Sequence, residues 1–161
     1  MERQRKMENN IVISFIIPAH NSEKFLKRCV ESVVKEEKQP KDNNLAEVII
    51  IENGSSDHTK QIGTALAEKY ENVFLICSEK GVSNARNAGV KAAHGEWIFF
   101  LDADDYLPAG TLQKLLDTVN SGKAADLYIF SYEKGNAIVN VATGENADGY
   151  EGTGVRECLA G

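Results

Sequence analysis

Asp102, Asp104 and Asp105 fall within four consecutive positions, in the stretch FFLDADDYLP that closes an apolar run. Carboxylates so close repel one another, so the cluster asks for positive charge. In extended chain Asp102 and Asp104 project to the same side and can share one hard divalent cation through oxygen ligands. Magnesium or manganese suits such a set; zinc, with no Cys or His beside it, does not. The same spacing equally suits acids that do no more than favour the positive end of a helix opened by Pro108. Spacing alone leaves both readings standing.

Other polar stretches also follow apolar runs: PAHN at 18–21, ENGSSD at 52–57 and EKG at 79–81. Just beyond Gly81, Arg86 lies in the first turns of a helix, where a guanidinium and a helix N-terminus can both meet phosphate oxygens. An ordinary exposed helical arginine has the same signature. Likewise Asn53-Gly54 makes a good turn and Asp57 a good helix cap without any ligand. His20, His58 and His94 show no metal-ligand spacing. There is neither a GxxxxGK[ST] nor a GxGxxG pattern, so no P-loop or dinucleotide fingerprint is present.

The elements that must position these residues alternate. Residues 11–17 read as a strand, and 21–36 as a helix with Phe25, Leu26, Cys29, Val30, Val33 and Val34 on one face and Asn21 or Ser22 as N-cap. Residues 46–51 form an almost continuous apolar strand, followed by a helix from near Asp57 with Ile62, Leu66 and Tyr70 inward. A strand at 72–77, an alanine-rich helix at 83–94 capped by Ser83, and a strand at 96–101 come next. Pro108 then precedes a helix with Leu112, Leu115, Leu116 and Val119 on one face, and 126–132 reads as a further strand. This order predicts an α/β three-layer sandwich, Rossmann-like, with a mainly parallel sheet. All four polar stretches then fall at the carboxyl ends of strands, where open α/β sheets bind ligands.

Composition narrows the field further. The 161 residues, 42% hydrophobic and 26% charged, suit one continuous core. A net charge of -6 with dispersed Lys and Arg speaks against nucleic acid as a partner. Cys29, Cys77 and Cys158 form no CxxC pair, which suits reduced thiols in the cytoplasm, with Cys29 and Cys77 in the core. Residues 1–10 are charged, without the apolar segment of a signal peptide or anchor, and are expected to be a disordered leader. Residues 11–132 make the ligand-binding domain. From 133 to 161 six of the 13 glycines accumulate and only 137–141 reads as ordered, so a hairpin or loose tail is expected there, either a Gly-rich tail or the start of a missing acceptor half.

Taken together, VISFIIPAHNSEKFLKRCVESV, EVIIIENGSSDHT and GVSNARNAGVKAAHGEWIFFLDADDYLP resemble the N-terminal half of family-2 glycosyltransferases with the GT-A fold, over roughly residues 11–130. The resemblance implies transfer of a sugar from a nucleotide diphosphate donor to an acceptor hydroxyl, usually with inversion, in the synthesis of a cell-surface polysaccharide or glycan. It implies that Pro18, Ala19 and His20 flank the base and ribose, that Asn53 faces the base edge, and that Asn21 and Glu52 also belong to the donor-binding set. Arg86 would lie near the donor, and Asp102-Ala103-Asp104 would match the family's DxD, with Asp102 and Asp104 holding Mg²⁺ or Mn²⁺ against the diphosphate.

This chain departs from the family at three places. His20 stands where an aromatic residue is usual. Glu52 and Asn53 replace a pair of aspartates; because an amide oxygen still accepts, UDP leads as donor nucleotide with dTDP and GDP open. The family's catalytic base has no recognisable counterpart, and Glu145, Asp148, Glu151 and Glu157 match no such motif. The expectation is a donor-binding half whose acceptor is a glycan or a lipid-linked glycan, in the cytoplasm or peripheral at the cytoplasmic face of the membrane. The alternatives are a non-catalytic nucleotide-sugar or metal-binding module serving a partner, and a phosphoacceptor domain, the last disfavoured by PAHN after the first strand. An incomplete layer leaves an apolar face exposed, so a homo-oligomer is expected.

Overall fold

The computed structural model describes residues 11–35, 45–121, 132–134 and 137–139. The most apolar runs become the central strands. β1 (Ile13–Ala19) and β2 (Ala46–Glu52) are buried along their whole length apart from the partly exposed Pro18, as strands covered on both faces must be. β3 (Val73–Cys77) pairs with β2, and β4 (Trp97–Phe100) with β1, all parallel, giving the order β3-β2-β1-β4. The two outer strands of this sheet expose part of their side chains, including Phe74, Ile98 and Phe100.

The alternation of side chains sorts the two faces. Ile16, Ile49 and Ile51 pack with Ala85 of α3 (Val82–Ala92). Ile50, on the opposite phase of β2, lies with Leu75 beside Gly63 of α2 (Thr59–Lys69). α1 (Leu26–Val34) packs against α2 and buries Leu26, Cys29, Val30 and Val33. Helices therefore cover both faces, and the expected three-layer α/β architecture is what the chain adopts. Each fully buried Ile or Val contributes about 1.5–3 kcal/mol, so the two central strands carry much of the core. α3 approaches closely because its inner face is small: a Cβ at Gly89 would overlap the Ile16 side chain.

Several element boundaries differ from the sequence reading. α1 starts after Phe25, not at Asn21 or Ser22: Asn21 is drawn into bonds with Ser55 and Ser56 of the loop after β2, and the Ser22 N–H donates to Thr59 Oγ1 at the start of α2. Asn21 there adopts φ 50°, a left-handed conformation that Asn tolerates better than most residues. α3 is preceded by Gly81 at φ 131°, and Ser83 falls inside its first turn instead of capping it. α4 (Thr111–Val119) begins beyond Pro108, whose carbonyl accepts the Thr111 N–H, and buries Leu112, Leu115 and Leu116. Cys77 is exposed, against the expectation of a core thiol, because it ends an outer strand.

The chain divides into two units, residues 1–119 and 120–161. In the second, β5 (Tyr132–Lys134) and β6 (Ala137–Val139) form an antiparallel pair with Tyr132 opposite Val139. A hairpin was one of the two expectations for this region. The leader at 1–10, Cys158 and all but Tyr132 of the expected strand at 126–132 lie outside the described residues.

Candidate functional site

Because all four strands of the larger sheet run parallel, the loops after β1, β2, β3 and β4 emerge at one edge. Register aligns their starting points: Ala19 stands opposite Glu52, and Glu52 opposite Cys77. The Leu101 N–H donates to Ile16 O at 3.0 Å, which fixes where the acidic loop departs beside β1.

The first cluster joins the ends of β1 and β2. Asn53 N–H donates to Ala19 O at 3.0 Å. His20 Nδ1 lies 2.9 Å from Asn53 O; since a carbonyl only accepts, Nδ1 carries the proton. In the neutral ring Nε2 then accepts from Asn21 Nδ2 at 3.3 Å. Asn21 Oδ1 in turn accepts the Ser56 N–H at 2.8 Å, and Ser55 Oγ accepts the Asn21 N–H at 3.1 Å. Glu52 is 7% exposed, and its Oε1 accepts the Ser55 N–H at 2.6 Å. Burial pushes the Glu52 carboxyl up, but hydrogen bonds from Ser55 and the Gly54 N–H, with Lys60 nearby, outweigh it and leave the group below its ordinary range. Asn53 is 4% exposed, and its Oδ1 accepts the Gly81 N–H at 2.9 Å. One lone pair of that oxygen, which the sequence left available to a ligand, is engaged inside the protein.

The second cluster forms around the loop after β4. Asp102 is partly buried, and Arg86 Nη2 of α3 lies 3.6 Å from its Oδ1. Burial raises the Asp102 carboxyl above its ordinary range; Arg86 opposes this, while Asp105 and Asp104 add to it. Burial and the Asp104 charge raise Asp105 as well. Ala103 is buried, and the Asp104 and Asp105 side chains are exposed. The two clusters meet through α3, whose start is tied to Asn53 and whose Arg86 faces Asp102.

Three α1 residues that the sequence reading did not single out touch this loop. Arg28 Nη2 donates to Asp104 O at 3.0 Å, and its guanidinium sits 4.7 Å from the centre of the Tyr106 ring. Cys29 Sγ donates to Asp102 O at 3.4 Å, and the Leu107 N–H donates to Ser32 Oγ at 3.0 Å. Burial, with the charges of Asp105, Asp104 and Asp102, pushes the Cys29 thiol up to about 12, so it stays protonated and able to donate. The helical spacing of Arg28 and Ser32 flanking Cys29 is visible in the sequence; their partners more than seventy residues away are not.

Among the described residues no group of three or more His, Cys, Asp or Glu side chains is placed to hold a metal ion. Asp102 and Asp104 offer two hard oxygen ligands, and the raised Asp102 carboxyl is the environment a cation would relieve. Two carboxylates suit Mg²⁺ or Mn²⁺ when the remaining positions go to water and to ligand phosphates, as Mg²⁺ sites commonly arrange. Among the described residues no helix is long and apolar enough to cross a membrane.

A parallel sheet covered on both faces, with an acid pair and an arginine at its carboxyl edge, is the layout of α/β proteins that bind ligands at a strand-end crevice. Residues 14–153 match glycosyl transferase family 2, and the chain belongs to that family. The glycosyltransferase GlyG of Streptococcus pneumoniae is 32% identical over 123 residues, which cover 75% of this chain and 39% of GlyG. Among solved structures, S. aureus TarS 1–349 in complex with UDP superposes with a TM-score of 0.61 at 30% identity, over 69% of this chain and 32% of that one. The mannosyltransferase PcManGT of Pyrobaculum calidifontis, in complex with GDP-Man and Mn²⁺, shares the fold at 22% identity with a TM-score of 0.58, over 69% of this chain and 33% of that one. The fold is GT-A, as expected, and the chain spans about a third of the length of these relatives.

Proposed function

We propose that this chain is the donor-binding half of an inverting, metal-dependent glycosyltransferase that takes its sugar from a nucleotide diphosphate, with UDP-sugar the favoured donor. The observation that carries this reading is the Asp102–Asp104 pair at the end of β4, with Arg86 3.6 Å from Asp102, in a chain of glycosyl transferase family 2. Asp102 and Asp104 would hold Mg²⁺ or Mn²⁺. When bound, the cation supplies neutralisation of the charge that builds on the departing diphosphate, a stabilisation stronger in the transition state than before it.

The chain's own groups orient the donor. Arg86 exchanges part of its attraction to Asp102 for phosphate oxygens, and α3 starts at the same edge without a side-chain cap, so its leading N–H groups suit an anion. Pro18, Ala19, His20 and Asn21 border the base and ribose. Asn53 donates to a base carbonyl oxygen, which uracil, thymine and guanine all possess; the preference for UDP is supported by TarS, solved with UDP and with UDP-GlcNAc. The acceptor is a glycan or lipid-linked glycan hydroxyl, and transfer takes place in the cytoplasm or at the cytoplasmic face of the membrane. Residues 11–132 form the donor domain, flanked by a leader at 1–10 and a segment at 133–161.

Calorimetric titration of the 161-residue chain with UDP, dTDP and GDP, each with and without Mn²⁺, tests the reading. Binding of one nucleotide only when Mn²⁺ is present is expected, together with its loss in Asp104→Ala at unchanged far-UV circular dichroism. Equal affinity in Asp104→Ala overturns the assignment of the acid pair.

A further inference from the structure

Two aspartates can serve a ligand only if their loop is held by something other than their carboxylates. Here the main chain does the holding. The carbonyl oxygens that receive hydrogen bonds from α1 belong to Asp102 and Asp104 themselves: Cys29 Sγ donates to the first at 3.4 Å and Arg28 Nη2 to the second at 3.0 Å. The Asp105 N–H closes a turn back onto Asp102 O at 3.0 Å. Two residues further along, the Leu107 N–H donates to Ser32 Oγ at 3.0 Å. The Ser32 hydroxyl gives its own proton to Cys29 O at 2.6 Å, which leaves its lone pairs for Leu107. On the other side the loop is anchored to β1 through the Leu101 N–H and Ile16 O.

The contacting positions on α1, Arg28, Cys29 and Ser32, are i, i+1 and i+4, neighbours along one edge of the helix. Arg28 adds charge to geometry: its guanidinium, bonded to Asp104 O, brings a positive charge to the acidic loop. A positive side chain attached through a backbone carbonyl offsets the crowding of the acids without occupying a carboxylate oxygen.

We propose that Arg28, Cys29 and Ser32 are positioning residues that set the backbone of the acidic loop and so the spacing of the Asp102 and Asp104 carboxylates. The proposal rests on the donor-site reading above. Cys29 contributes least, since a thiol is a weak donor. Groups that orient metal ligands from behind usually change metal affinity by about 10–100-fold when removed.

The test compares the wild-type chain with Arg28→Ala, Ser32→Ala and Ser32→Thr, by amide hydrogen exchange and by UDP titration with and without Mn²⁺. Arg28 is exposed, so Arg28→Ala reports on the loop even where a Ser32 variant folds poorly. Expected are faster exchange at Asp105 and Leu107, unchanged exchange in β1 and β2, and Mn²⁺-dependent affinity weakened about tenfold in both alanine variants. Ser32→Thr, which keeps the hydroxyl, restores both readouts. Unchanged loop exchange, or a loosened loop with wild-type affinity, overturns the positioning role. A wild-type chain that binds no nucleotide with Mn²⁺ overturns the donor-site reading and the positioning role with it.

Discussion

Glu47 and Glu52 lie on the same strand, both almost fully buried, and they do opposite things. At the amino end of the sheet Glu47 gathers its partners from two places, β1 and the turn after α3. The Ser14 hydroxyl donates to it at 2.5 Å, the His94 N–H at 2.7 Å, and the His94 ring reaches its other oxygen at 3.1 Å. Ser14 Oγ in turn accepts the Gly95 N–H at 2.8 Å, so the turn between α3 and β4 is tied to the two central strands. At the carboxyl end Glu52 bonds its own loop, and two strands away in the sheet the Asp102 and Asp105 carboxyls are raised by burial and by the charges of neighbouring acids. A carboxylate satisfied within the protein marks the end that keeps the fold; in the proposed function, carboxyls raised by burial and by one another mark the end that meets the donor.

Removing Glu47 should break this contrast most severely. Glu47→Ala leaves the buried Ser14 hydroxyl and the part-buried His94 N–H without their acceptor, and each such loss costs about 1–3 kcal/mol. Urea unfolding measures it, and Asp104→Ala supplies the control at the other end: an exposed carboxylate whose removal should change stability by about 0.5 kcal/mol or less. Equal effects from the two substitutions would erase the distinction between the ends.

Gly95→Ala probes the same junction without touching a charge. A Cβ there would lie 2.7 Å from the Ser14 N and 2.9 Å from the Ile13 carbonyl carbon, both main-chain atoms that cannot rotate away. The overlap should cost about 1–3 kcal/mol, read as a lowered thermal midpoint, while Mn²⁺-dependent nucleotide affinity stays within about twofold of wild type. A larger loss of affinity than of stability would mean that this turn transmits its position to Asp102.

The two ends were not equally legible. Acids that interrupt the end of an apolar run, polar stretches after each strand and the continuous VIII of β2 are local signals, and they sufficed to place the carboxyl edge and the layers. Glu47 sits inside AEVIII as one polar letter, and its partners Ser14 and His94 lie 33 and 47 residues away. A still greater distance in sequence, 73 to 76 residues, hides the hold of α1 on the acidic loop. Cys77 was misplaced for a related reason: its run reads as core, but its strand takes an outer place in the sheet, a property of topology. Asn21 and Ser22 have every credential of a helix cap, and the loop after β2 and the start of α2 outcompete the helix for them.

The smallest effect concerns α1 away from the acidic loop, where Glu31 links it to α2. Its carboxylate pairs with Lys35 at 2.8 Å and Lys69 at 3.2 Å and accepts the Tyr70 hydroxyl at 3.0 Å. The hydrogen bond from Lys35 leads, and with Tyr70 and Lys69 it draws the carboxyl down from 4.5 to about 2 against the opposing effect of burial. A folded-state value below the unfolded one makes the contribution complete above about pH 4.5, and it is lost as pH falls through about 2. Since the lysines are largely exposed, the contribution is about 1 kcal/mol. Glu31→Gln should therefore lower the urea midpoint slightly at pH 7 and flatten its decline between about pH 4.5 and 2. A wild-type acid slope retained in the variant would assign the acid sensitivity to other carboxylates, and the α1–α2 contact would then rest on its apolar face alone.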